Sequence, residues 1–262
     1  MLISIINLTE GKIADDDVQT AIRAVNRQIQ EDFEPYWFFG ARLRLEGPAG
    51  HKPDKKRLED LRGDAILYLW NEPNQTDALG YHEANFKGIP FGFVYPQVSK
   101  KLGENWTVTL SHEALELLGD SQANLLVQGP HPEHPQRLVY HWFEMCDAVQ
   151  DETYTIDGIE VSNFVLPLYF TMDNEPGSRN DFLGTKVKGK TLESFGVNKG
   201  GYIGFFDPEK KDDDYFYGRR GMEARSKARF KIKTQAGFGR RALRVARLQQ
   251  SVNAAGKGRR VR

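Results

Sequence analysis

Residues 109–120, TLSHEALELLGD, set a histidine and two glutamates inside a run that is otherwise apolar at helical spacing. Leu110, Ala114, Leu115, Leu117 and Leu118 recur with the period of an α-helix, which predicts a half-buried helix over residues 108–119 capped by Thr107 or Thr109. Such a helix needs a sheet or other helices to cover its apolar stripe. It must also dispose of His112, Glu113 and Glu116, either on a solvated face or around a cation. These two demands restrict the fold more than any other stretch. Positions i and i+4 project from one helix face, so His112 and Glu116 stand close enough to share a metal ion. Glu113 lies one residue round the rim, where a carboxylate can take a proton from water without coordinating the metal.

The partner for this helix is expected in the residues before it. LISIINL (2–8) and DAILYLWNE (64–72) read as buried strands, and WFFGARLRLEG (37–47) alternates like one. Between the first two, residues 15–33 carry acids in the first turn and Val18, Ile22, Val25 and Ile29 at helical spacing, a helix that Pro35 should stop. Residues 80–97 hold Gly and Pro among strand formers, the look of a bent or edge strand. Downstream, residues 129–136 read as a loop, 137–149 as a strand, 154–170 as two short strands about an Asp-Gly turn at 157–158, 171–190 as a loop, and 200–207 as a last strand. The expected architecture is α+β: a mixed sheet over one helix in residues 1–210, then a basic extension over 211–262.

Charge supports that division. Residues 219–262 contain 15 Lys and Arg against one acid, Glu223, leaving 21 basic and 35 acidic residues in the first 218. The KARFKIK and GRRALRVAR runs, with Phe230 and Phe238 interleaved, suit a nucleic acid or an acidic protein partner through residues 219–262, and the final stretch is expected to be flexible. Cys146 is the single cysteine, which excludes an intramolecular disulfide framework and a cysteine-rich zinc site. The apolar runs fall well short of the ~20 residues that span a bilayer, and no signal peptide is read, so a cytoplasmic location without membrane partners is expected.

The segment SHEALELLGD resembles the metal-binding helix of zincin-type metallopeptidases, with H-E-x-x-E in place of H-E-x-x-H. Thermolysin-like members also carry an Asp eight positions after the His, here Asp120, and draw a further Glu ligand from an acidic run downstream. FEMCDAV offers Glu144 and Asp147 as E-x-x-D. In motif order the chain is also similar to exordium-like proteins, and DVQTAIRAVNRQIQEDFEPYW, IDGIEVSNFVLP and GGYIGFFD resemble uncharacterised bacterial and phage proteins. The resemblance implies a zinc peptidase with His112 and Glu116 as metal ligands, Glu113 as general base, and Glu144 or Asp147 as third ligand. If residues 137–147 form a regular strand, the latter two face opposite ways and only one reaches the metal. Ligands at i, i+4 and i+8 would span ~12 Å of helix rise, so Asp120 is cast beside the ligands or at the helix end. One histidine with two carboxylates makes the bound water less acidic than two histidines would, and brings Mn²⁺ or Ca²⁺ into range beside Zn²⁺. The alternative reading is a catalytically inactive binding or virion-associated structural protein of the same fold, working through its basic tail.

The remaining candidates are weaker. His82 reads as a surface-loop residue, with substrate contact as the alternative. His131 and His134 read as an exposed loop pair, and His141 as a hydrogen-bonded core residue. The GIPFGFVYPQ segment reads as an edge strand, where zincins add a peptide substrate as an extra strand. Tyr140, Tyr154 and Tyr202 are candidates to stabilise an oxyanion. Cys146 reads as a small buried residue, with thiolate ligation as the alternative.

Overall fold

The computed structural model describes residues 1–50, 58–71, 79–172, 178–186 and 189–218; residues 219–262, and with them the basic runs, lie outside that set. Along the chain run β1 (Leu2–Leu8), α1 (Asp15–Arg27), a π-helical turn (Gln28–Phe33), α2 (Glu34–Trp37), β2 (Arg42–Glu46), β3 (Ala65–Trp70), β4 (Gly80–Ala84), β5 (Pro90–Val94), α3 (Pro96–Lys101), α4 (Trp106–Gly119), β6 (Leu126–Pro130), β7 (Leu138–Trp142), β8 (Thr153–Ile156), β9 (Ile159–Ser162), β10 (Tyr202–Asp207) and β11 (Asp212–Tyr217). The chain is α+β, as its patterning predicts.

The first five strands form one sheet in the order β2-β1-β3-β5-β4. β1, β2, β3 and β5 run parallel, and β4 is antiparallel to β5. One face turns Ile3, Ile5, Leu67 and Val94 toward Leu110, Ala114, Leu115 and Leu117 of α4 and Val18, Ile22 and Val25 of α1, in one continuous apolar core. The expected helix therefore sits where the sheet needs covering, but it is buried throughout residues 107–118 rather than half-buried. The β8–β9 hairpin closes over it: Ser111 Oγ accepts the Ser162 amide at 2.7 Å, and Thr107 donates to the Glu160 carbonyl at 2.8 Å. Thr109 donates to Glu104 and not to a helix end; Asn105 precedes the helix without a side-chain cap bond.

Three local expectations change. Residues 80–97 form a hairpin, so the strand at the sheet edge is β4; β5, the expected edge, is paired on both sides. Pro35 does not stop the helix. It occupies the first turn of α2, where no amide donor is needed, and the chain leaves at Phe38 with φ 59°. The 137–149 strand ends at Trp142 and a 3₁₀ turn over Asp147–Val149 follows. The Asp157-Gly158 turn appears as predicted, with both φ positive. The boundary expected at residue 210 falls inside the β10–β11 hairpin, whose register runs Tyr202–Tyr217 to Asp207–Asp212.

β6, β7, β10 and β11 make a second, antiparallel sheet. His141 on β7 is the core residue its sequence context predicts. Its Nε2 donates to the Pro130 carbonyl at 2.8 Å, and its ring lies 4.6 Å from Phe195 and 5.8 Å from Phe205. Burial pushes its pKa down to about 4 from 6.5. The unfolded chain binds this proton more readily, so the stabilisation is complete above pH 6.5 and is lost as pH falls toward 4. The full swing is about 3 kcal/mol. We expect denaturant titrations at stepped pH to show that slope in the wild type and a shallower one in His141→Gln.

Candidate metal centre

The polar residues of α4 do not face water. His112, Glu113 and Glu116 are 1%, 3% and 0% exposed, and the groups that meet them are buried as well. A buried row of carboxylates is tolerated only when something satisfies its charge, so this is not the solvated edge of a helix.

Two carboxylates stand against His112. His112 Nε2 lies 3.1 Å from Glu116 Oε1 and 3.4 Å from Asp147 Oδ1. Ligand atoms about 2.1 Å from a tetrahedral cation stand roughly 3.4 Å apart, a spacing that each carboxylate approaches with respect to His112 Nε2. The helix sets the first pair by its i, i+4 geometry, and the 3₁₀ turn after β7 delivers Asp147. The same turn brings Cys146, whose amide approaches Glu116 Oε1 at 3.4 Å and whose sulfur points at the His112 carbonyl. Burial, with Glu116 and Asp147 beside it, pushes the Cys146 thiol well above its ordinary range. Its sulfur nonetheless lies within 4.8 Å of donor atoms of His112 and Glu116, and among the described residues it completes the set around His112 whose three donor atoms are all that close.

The second cluster comes from the edge strand. His82 is buried, not on a surface loop, and its side chain is 1% exposed. Nδ1 stands 3.5 Å from Glu113 Oε2 and 3.7 Å from Glu116 Oε2, and Nε2 stands 3.9 Å from Glu144 Oε2. None of these is a hydrogen bond, and both ring nitrogens are buried without one. Burial lowers the affinity of this imidazole for a proton, but the charges of Glu144, Glu113 and Glu116 outweigh it and the pKa is raised. His82, Glu116 and Glu144 also bring one donor atom each within 4.8 Å of the others.

The premise of a regular strand over residues 137–147 fails, and Glu144 faces His82 while Asp147 faces His112. The chain leaves the strand after Trp142, and both carboxylates turn inward. Asp120 is the carboxylate of the helix end: Oδ1 and Oδ2 accept the amides of Asn124 and Leu125 at 3.0 and 2.8 Å. His131 Nδ1 accepts the amides of Glu133 and His134, which gives the loop pair a structural task. Tyr154 donates to Asp32 at 2.8 Å, Tyr140 is exposed, and Tyr202 lies in the β10–β11 hairpin.

Sequence reasoning missed His82. The available signal was its strand face: Gly80, His82 and Ala84 alternate to one side of β4, and two small residues leave room beside an imidazole. Gly80 is required there. A Cβ at Gly80 would meet Glu113 Cγ, Glu113 Oε1 and the Phe93 carbonyl, each at 2.8 Å. We expect Gly80→Ala to displace the Glu113 carboxylate and to cost about 1–3 kcal/mol in a denaturant titration, because the Phe93 backbone cannot yield.

No family model, curated protein or solved structure matches this chain.

Proposed function

We propose that the protein is a metal-dependent peptidase whose cation is held by His112, Glu116 and Asp147, with zinc the first candidate and manganese or calcium the alternatives. The observation that carries this reading is the buried set of His112, Glu116 and Cys146, whose donor atoms lie within 4.8 Å of one another, with Asp147 Oδ1 3.4 Å from His112 Nε2 and Glu113 beside them on the helix. A divalent cation there supplies Lewis-acid polarisation of a peptide carbonyl. Glu113 accepts the proton of the attacking water and returns it to the leaving amine; its Oε2 is buried without a hydrogen bond and faces His82 Nδ1 at 3.5 Å. β4 supplies the place for substrate. Among the described residues it pairs only with β5, so its outer edge can take an extended peptide as a further strand, with His82 and Glu113 alongside.

One observation favours a second reading, a structural metal in a catalytically inactive protein. Structural metal sites are closed and catalytic sites keep an open position, and the ligating residues are almost wholly buried. A binding role for the basic runs stays attached to that reading, and those residues lie outside the described set. Among the described residues, no helix is long and apolar enough to cross a membrane.

The first test is metal content. Elemental analysis of the purified protein should find bound divalent metal in the wild type and its loss in His112→Ala. Metal-free wild type after incubation with zinc and manganese would remove both readings.

A further inference from the structure

The single-cation reading leaves two groups without a task. His82 and Glu144 point into the same buried volume from β4 and from the segment after β7, yet neither belongs to the set at His112. His82 is the informative one, because carboxylate oxygens of Glu113, Glu116 and Glu144 surround its two ring nitrogens at 3.5, 3.7 and 3.9 Å, too far for hydrogen bonds and near the spacing of donors that share a cation.

Resting on the metal reading above, we infer that the cluster holds two divalent cations bridged by the Glu116 carboxylate. Glu116 belongs to both donor sets: one with His112 and Cys146, the other with His82 and Glu144. Its two oxygens divide between them, Oε1 toward His112 and Oε2 toward His82. A carboxylate that offers one oxygen to each side is the geometry of a bridged pair, in which cations stand roughly 3.5–4 Å apart. Charge points the same way. Glu113, Glu116, Glu144 and Asp147 are four buried carboxylates faced by two imidazoles, and one divalent ion offsets half of their formal charge whereas two offset all of it. The second set, one imidazole and two carboxylates, suits zinc or manganese.

The experiment uses the full chain, stripped of metal, then equilibrated with manganese alone and freed of excess. Elemental analysis should return about two equivalents, and the manganese resonance spectrum should show the exchange coupling of a bridged pair. His82→Ala should retain about one equivalent with the six-line spectrum of an isolated ion. Glu144→Gln, nearly isosteric, should do the same and covers the case in which His82→Ala fails to fold. About one uncoupled equivalent in the wild type would overturn the pair and leave the single-cation reading standing. No metal in the wild type would overturn both. About two equivalents retained in both variants would place the second ion elsewhere and overturn the bridge.

Discussion

Glu113→Gln is expected to keep its metal and to lose about 10²- to 10⁴-fold of peptide hydrolysis, the range that general-base catalysis supplies. The substitution is close to isosteric, so the side chain can still lie against Gly80, where the space admits no added Cβ. The proposed ligands His112, Glu116 and Asp147 are untouched. What disappears is the basic oxygen that takes a proton from water. The readout is turnover of a quenched peptide library together with metal content. Intact metal with lost turnover assigns Glu113 as base. If the wild type binds metal and hydrolyses nothing, the closed structural site is the better reading. If the variant instead loses its metal, Glu113 belongs among the ligands.

How much of this was legible in the sequence depends on how far each signal acts. β1, β3 and α4 were readable because their residues bury a full strand face or helix stripe, and that pattern is local. The pairing of His112 with Glu116 was readable for the same reason, since a helix fixes i and i+4 from sequence alone. Asp147 was readable as a candidate but not as a certainty, because its direction depends on where β7 ends. The run RLVYHWFEMCDAV is uniformly strand-prone, and nothing local says that the strand stops at Trp142. His82 was misread for a reason that is not local at all. An edge strand with polar residues looks like a surface segment until α4 is placed against it, and that contact joins residues 31 positions apart. The same limit explains the misplaced edge strand: Gly and Pro marked the hairpin, but only the pairing of β5 with β3 shows which arm lies inside.

Chelation should destabilise the fold as well as silence the site. The native cluster gathers four carboxylates that the unfolded chain exposes separately to water, so the proposed cation would bind the native state far better and stabilise it by mass action. At a free concentration about a thousandfold above its dissociation constant the stabilisation is about 4 kcal/mol. For a chain of this size that is a fall in Tm on the order of 10 °C when the metal is removed. His112→Ala supplies the control, because a protein that has already lost its metal should show little further shift with chelator. A wild-type Tm that does not move while elemental analysis shows the metal leaving would mean that the carboxylates are balanced instead by a proton on His82, whose pKa they raise. In that case the stability of the metal-free protein should fall as pH rises and that proton is lost. The two explanations of one buried acidic cluster therefore predict opposite dependences, one on metal and the other on pH, and a single set of melting curves separates them.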